Sequence, residues 1–374
     1  MVQSQWPYWL PLRSDLRNIS PYGAPQITGV VALNTNENPF PLPDEVVSAM
    51  SDRLGQVIAN LNRYPDRDAL ALRSKLAHYI TQTTGVDVNA DNIWAANGSN
   101  EILQTLFLAC GGVENLALGF SPSYSVHPLI AQITKTPWIA GSRDADFSID
   151  IPKAKKLIRE KSPHLVFVTT PNNPSGTSTS IADLKELAEA TGSVGGLLVV
   201  DEAYSEFSDE PSATTLLNDF PHVVVVRTMS KAFAFAGART GYLIAKPAVV
   251  NAALITRLPY HLSALTQAAA ETALEFTPSM QSEIELLISE RERVSAALAD
   301  VGYRVLPSSA NFLLFSGFKG EPSEIWQAFL DRGILIRDVG LRGFLRVTVG
   351  SPGENDQFIT ALGSISNPNS QIAE

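Results

Sequence analysis

Lys231 follows Thr228 and Ser230 at the close of an apolar run, and Arg239 comes eight residues later, in the segment VVVVRTMSKAFAFAGARTG (Val223–Gly241). Four consecutive valines read as an interior strand. Polar residues just past such a strand occupy the place where α/β proteins build their sites. Lysine is the side chain that forms Schiff bases with carbonyl compounds. Hydroxyls and a guanidinium beside it suit a bound phosphate. The chemistry indicated is an amine nucleophile near a phosphate; a solvated Ser-Lys pair is the plain alternative.

Other strand ends carry similar clusters. Asn97-Gly98-Ser99-Asn100-Glu101 lies between the strand-like NIWAA and the amphipathic EILQTLFLAC. Gly98 lets the backbone approach an anion, Ser99 or Asn100 can cap the helix, and its free N–H groups can hold phosphate. Taken alone, this segment reads first as an ordinary helix cap. PNNPSG (Pro171–Gly176) follows HLVFVTT and fixes an Asn side chain at a strand end, or is a simple turn. Asp201-Glu202-Ala203-Tyr204 follows GGLLVV. A carboxylate there needs a positive or hydrogen-bonded partner. A protonated heterocyclic nitrogen is one such partner; a helix-capping role is the other reading. Tyr204 could reach a neighbouring phenolic oxygen. Pro122-Ser123-Tyr124 offers an aromatic face for a flat ring or a half-buried core tyrosine. Arg346 in FLRVTVG is either a carboxylate fork or an exposed edge charge.

The elements that must position these residues are legible in outline. Helical patterns at Asp44–Leu54 and Asp68–Gln82 precede strand-like runs at Asn92–Ala96, Asn115–Phe120, His164–Thr169, Gly195–Val200, His222–Arg227 and Tyr242–Ala245. Their alternation with helices predicts an α/β fold with a mostly parallel central sheet. Past Pro247 the pattern changes to a long helix over Ser263–Leu298 and short strands at Tyr303–Leu306, Asn311–Phe315, Gly333–Arg337 and Phe344–Val349. This reads as a smaller α+β domain, with the ligand site in the cleft between the two. The expected division is 1–45 as an arm and part of the small domain, 46–255 as the large domain, and 256–374 as the small C-terminal domain.

Composition narrows the function. A net charge of −10 argues against nucleic acid as a partner but allows a local basic pocket. Cys110 is the single cysteine, which excludes an internal disulfide and suits a cytoplasmic location. The histidines, His78, His127, His164, His222 and His261, show no metal-ligand spacing, so no metal is expected. No apolar run reaches the length of a membrane span, and the N-terminus lacks the pattern of a secretory signal.

Taken in order and spacing, Gly98–Asn100, Tyr124, PNNPSG, DEAY and SKAFAFAGARTG resemble the fold-type I pyridoxal-phosphate aminotransferases. The resemblance covers nearly the whole chain. With SPYGAP, LNTNENP, NRYPD, LPYHLS, ANFLLF and LRVTVG added, it narrows to the histidinol-phosphate aminotransferase group. It implies that Lys231 holds pyridoxal 5′-phosphate covalently and then shuttles a proton at the substrate α-carbon. Asp201 would keep the pyridine nitrogen protonated, Asn173 and Tyr204 would bond the ring's phenolic oxygen, and Tyr124 would stack on the ring. Ser99, Asn100, Thr228, Ser230 and Arg239 would hold the phosphate, with Tyr64 reaching it from the second subunit of a homodimer. Arg346 would take the carboxylate of glutamate, and Tyr22, Asn36 and Arg337 would line the substrate site. Arg342, in the loop DVGLRGFL, is a third cation beside Arg337 and Arg346. The implied substrates are L-histidinol phosphate with 2-oxoglutarate, or imidazole-acetol phosphate with L-glutamate. An aromatic amino-acid aminotransferase is the alternative within the family, a decarboxylase of a phosphorylated amino acid a further one. A catalytically silent relative is the rival from another class.

Overall fold

In the computed structural model the chain is described over residues 6–366. Residues 1–5 of the expected arm and 367–374 of the expected C-terminal unit lie outside the described residues. Strand β1 (Val31–Ala32) leaves the arm, and helices α1 (Asp44–Ile58) and α2 (Leu70–Thr84) follow. The chain then alternates through β2 (Ile93–Ala96), α3 (Ser99–Cys110), β3 (Ala117–Ser121), α4 (Val126–Ile133), β4 (Trp138–Ser142), α5 (Ile151–Lys161) and β5 (Leu165–Thr169). It continues through α6 (Ile181–Ser193), β6 (Leu197–Asp201), β7 (Val223–Thr228), β8 (Gly241–Ile244) and α7 (Pro247–Thr256). β2 to β8 form one seven-stranded sheet in the order β2-β8-β7-β6-β5-β3-β4. Only β8 runs against its neighbours.

The valine run is explained by this sheet. Val223 and Val225 face a core cluster with Leu76, Ile158 and Leu187, from α2, α5 and α6. Val224 and Val226 face a second cluster with Ile102, Leu106 and Ile130, from α3 and α4. Side chains alternate between faces along a strand, and helices cover both faces here, so every position is apolar. The polar residues fall where the strands run out, at the carboxyl ends of β3, β5, β6 and β7.

The C-terminal part contains α8 (Ala264–Ala273), α9 (Thr277–Asp300), β9 (Arg304–Val305), β10 (Phe312–Ser316), α10 (Pro322–Leu330), β11 (Ile334–Leu335), β12 (Arg337–Asp338), β13 (Phe344–Thr348) and α11 (Pro352–Ser366). Its sheet is antiparallel, in the order β12-β13-β10-β9. β11 instead pairs in parallel with β1, which ties the N-terminal arm to this part.

Several elements differ from the sequence expectation. Trp138–Ser142 adds a strand at the sheet edge, paired only with β3. Its sequence WIAGS is short and half small residues, so it carries no apolar run to read. The single long helix expected over Ser263–Leu298 is two, α8 and α9, separated by a 3-10 turn at Leu274–Phe276. Pro278, in the first turn of α9, has no N–H to continue the preceding helix. The strand expected over Gly333–Arg337 splits, β11 serving β1 and β12 serving β13. The hydrophobic core changes inside α9. Met280, Ile284 and Leu287 pack in the large cluster, whereas Val294 and Leu298 pack with Leu33, Phe315, Phe329 and Phe358. The expected division after 255 lies ahead of this point, because Ala269, Ala270 and Ala273 of α8 also pack in the large cluster. Among the described residues no helix is long and apolar enough to cross a membrane.

Candidate active site

A cavity of about 380 Å³ opens at the carboxyl ends of the central strands, walled on its other side by the arm and by β12 and β13. All the expected site residues except Tyr64 line it. Arg342, in the loop that follows, is exposed and outside the lining, so of the two it is Arg337, at the start of β12, that faces the cavity.

One end of the cavity is an anion cradle. Gly98 is the N-cap of α3 with a left-handed φ of +80°, and no side chain caps the helix. Neither Ser99 nor Asn100 is therefore the cap suggested by sequence. Ser99 is the first helical residue, and Asn100 accepts a hydrogen bond from the Tyr124 hydroxyl at 3.1 Å. The uncapped N–H groups retain their positive end for a ligand. Close packing forms the cradle wall: a Cβ on Gly241 would lie 2.3 Å from Ser99 N, and one on Gly98 would lie 2.6 Å from Arg239 Nη2. Ser230 N donates to Thr228 Oγ1 (3.1 Å), Thr228 Oγ1 donates to Ser230 Oγ (2.9 Å), and Arg239 Nη1 reaches Ser230 Oγ at 3.4 Å. A helix start, two hydroxyls and a guanidinium converge without a carboxylate among these contacts. That set suits phosphate.

At the end of β6, Asp201 is buried with one oxygen answered and one not. Oδ2 pairs with His127 Nε2 at 3.1 Å, and Oδ1 has no partner. An unanswered buried carboxylate oxygen is costly, so this atom is matched to an N–H donor brought by a ligand. Metal-ligand spacing, the only pattern read in the histidines above, does not single out His127. The available signal was its position in the first turn of α4, three residues after Tyr124, which turns both toward the same strand ends.

Lys231 is half-buried, and its Nζ donates to the carbonyl of Thr35 at 2.9 Å. Burial pushes its pKa down to about 8, helped by Arg346 and Arg239 and opposed by Glu37. A sizeable fraction of the amine is therefore neutral, as a nucleophile or base requires. Tyr204 is buried, and its hydroxyl accepts from Asn36 Nδ2 (2.9 Å) and Asn173 Nδ2 (3.3 Å). Arg346 donates from Nη1 to Asn173 Oδ1 (2.6 Å) and from Nη2 to Asn34 O (2.8 Å), over the ring of Phe312. Burial lowers its pKa to about 10, which still leaves the guanidinium charged near neutrality. No carboxylate pairs with it in these contacts, and its buried Nε has no partner. Arg337 sits opposite Arg346 in the β12–β13 register. Tyr22 stands half-exposed at the cavity mouth. Tyr64 lies outside the cavity, 80% exposed, and stacks on Tyr260 at 4.4 Å.

This set fits pyridoxal phosphate: the cradle for its phosphate, Asp201 Oδ1 for a ring N–H, Tyr124 for a ring face, Tyr204 for the ring oxygen and Lys231 for the aldehyde carbon. Two further cations, Arg346 and Arg337, line the cavity on the arm side.

The family described as aminotransferase class I and II matches residues 28–362. A histidinol-phosphate aminotransferase of Mycolicibacterium smegmatis is 55% identical over 94% of this chain and 92% of its own. One of Rhodococcus jostii is 54% identical over 95% of this chain and 93% of its own. The histidinol-phosphate aminotransferase structure from Clostridium acetobutylicum has a TM-score of 0.80 at 22% identity, covering 90% of this chain and 99% of that one. That of Sinorhizobium meliloti, in complex with pyridoxal-5′-phosphate, has a TM-score of 0.78 at 24% identity, covering 90% and 91%. These two likenesses establish the shared fold. With the family match over most of its length and relatives above half identity across nearly all of it, the chain belongs to the aminotransferase class I and II family.

Proposed function

We propose that this chain is a pyridoxal-phosphate-dependent histidinol-phosphate aminotransferase, moving an amino group from L-glutamate to imidazole-acetol phosphate, reversibly. The observation that carries the reading is a cavity with two anion sites. The cradle at Ser99, Thr228, Ser230 and Arg239 takes the cofactor phosphate. Arg346 and Arg337, adjacent across β12 and β13, take the anionic end of the substrate. One substrate ends in a carboxylate and the other in a phosphate, and an arginine fork pairs with either. The identity with curated relatives of that name supports the same substrate.

When bound, pyridoxal phosphate supplies an electron sink that allows a C–H bond at the substrate α-carbon to break. Asp201 Oδ1 holds the proton on the ring nitrogen, and His127 fixes the other carboxylate oxygen. Lys231 Nζ would take up the proton lost from the substrate α-carbon and hold it for return within the cavity. Tyr124 would lie against the cofactor ring, and Tyr204 and Asn173 would hydrogen-bond its phenolic oxygen. Arg346 orients the substrate so that its α-carbon faces Lys231.

The chain would act as a cytoplasmic homodimer. The Tyr64–Tyr260 stack joins two segments that also expose Ile58, Leu61, Ile255 and Leu258, an apolar surface suited to a second copy that would carry Tyr64 toward the other subunit's cradle. Tyr22 at the mouth is the observation favouring the alternative, an aromatic amino-acid aminotransferase. The test is formation of glutamate from histidinol phosphate and 2-oxoglutarate by the purified protein. No glutamate above the cofactor-only background would reject the proposal.

A further inference from the structure

Thr348 and Asn311 lie behind the cavity lining, both nearly inaccessible, and nothing above gives them a role. Both grip Asn36. Asn36 has a left-handed φ of +55°, a conformation that Asn tolerates better than most residues. Its N–H donates to Thr348 Oγ1 at 3.0 Å, its carbonyl accepts from Asn311 Nδ2 at 3.1 Å, and its Oδ1 accepts from Thr348 Oγ1 at 3.2 Å. Thr348 and Arg346 are two residues apart on β13 and therefore project from one face. Arg346 grips the Asn34 carbonyl, and Thr348 grips Asn36.

The same two residues set the direction of the two amides that meet Tyr204. A guanidinium only donates, so Arg346 Nη1 at 2.6 Å fixes Asn173 with its oxygen toward Arg346 and its Nδ2 toward Tyr204. Thr348 does the equivalent for Asn36. Its hydroxyl already accepts from Asn36 N, and its one proton has Asn36 Oδ1 as its partner. If the amide were turned over, that buried proton would have no acceptor, which is the costly arrangement. Asn36 Nδ2 therefore faces Tyr204 at 2.9 Å. With both amides donating, the phenol oxygen is filled as an acceptor and its own proton is left for the cavity.

We propose that Thr348 is a positioning residue for Tyr204: by fixing which end of the Asn36 carboxamide faces the phenol, it makes Tyr204 a hydrogen-bond donor to an anionic oxygen of the bound cofactor. This rests on the pyridoxal-phosphate reading. Without the Thr348 hydroxyl, Asn36 can turn its Oδ1 to Tyr204 and take up the phenol proton. A donor to the ring oxygen favours the deprotonated form of the bound chromophore, so its loss raises the pH at which the visible band titrates.

The test uses full-length protein, wild type and the variants Thr348→Val and Thr348→Ser, each stripped of cofactor and titrated with pyridoxal phosphate. One neutral hydrogen bond, about 0.5–1.5 kcal/mol, corresponds to a rise of about 0.4–1 pH unit in the visible-band midpoint. The dissociation constant for pyridoxal phosphate is expected to rise by about two- to tenfold. Thr348→Ser, which keeps the hydroxyl, restores both values. Thr348→Ala gives the same test if the valine variant does not fold, as judged by its melting temperature. A wild-type midpoint and affinity in the hydroxyl-free variant overturn the role of Thr348 while leaving the cofactor reading intact. A wild-type chain that forms no coloured complex overturns the cofactor reading and this inference with it.

Discussion

The two walls of the cavity are built on different plans. The cofactor wall comes from the ends of β5, β6 and β7 and the start of α3, with Asp201 and Thr228 closing their strands and Asn173, Tyr204, Ser230 and Lys231 two to four residues past theirs. The substrate wall joins residues some three hundred positions apart, the arm at Asn34–Asn36 and the strands carrying Arg337, Arg346 and Thr348. Their charges are handled differently too. Directly below the cofactor wall, buried Arg227 is paired with Glu202 at 2.8 Å and lies 3.5 Å from Glu206. Arg346, also buried, rests on a carbonyl and an amide oxygen instead. A buried cation without a countercharge is expensive to keep. The contrast separates a structural arginine, neutralised within the fold, from one to which the proposed function gives an exchangeable anion.

Replacing Lys231, the proposed covalent residue, should produce the largest break. Lys231→Ala is expected to lower turnover by about 10⁴-fold, the upper range for a lost acid–base group, and to abolish the visible band of the bound cofactor. Single-turnover kinetics and the absorption spectrum check this. Arg346→Leu should leave cofactor binding almost unchanged but reduce kcat/KM for both substrates by about 10²- to 10³-fold, in line with losing a buried charged contact worth about 2–5 kcal/mol. Equal loss of cofactor affinity would erase the distinction between the walls. Arg337→Met is expected to raise KM for the phosphorylated substrate by about tenfold, the lower end for a hydrogen bond to a charged group, with little change for glutamate.

A pH dependence sharpens the cofactor wall further. The neutral amine of Lys231 is the form that captures an aldehyde, and burial holds its pKa near about 8. The rate of cofactor capture by the apo-protein should therefore rise with pH through about 8 and level off above it. Stopped-flow mixing with pyridoxal phosphate measures that profile. A rate still climbing toward the ordinary lysine range, near about 10.4, would show that the amine is not desolvated in the apo-protein.

The unequal legibility of the two walls has the same origin. Thr228, Ser230, Lys231, Asp201 and Asn173 follow apolar strands directly, so local pattern places them at one sheet edge. Arg346 could be read only as a fork or an edge charge, because nothing local says what its strand faces. His127 and Thr348 were not found: their roles depend on partners 74 and 312 residues away, and neither lies in a distinctive local pattern. The capping role expected of Ser99 or Asn100 fails for a conformational reason, since Gly98 takes the cap position at a positive φ. In the fold, continuous apolar strands buried on both faces were readable, whereas the edge strand Trp138–Ser142 was not. The break between α8 and α9 was hidden by helical composition on both sides of Pro278.

The proposed function requires the arm-side cations Arg346 and Arg337 to select a phosphorylated substrate. Measuring kcat/KM for L-histidinol phosphate and for phenylalanine, each with 2-oxoglutarate, addresses it directly. One additional charged contact worth about 1.5–3 kcal/mol predicts a preference for histidinol phosphate of about tenfold to over a hundredfold. Equal efficiencies, or a preference for phenylalanine, would contradict it.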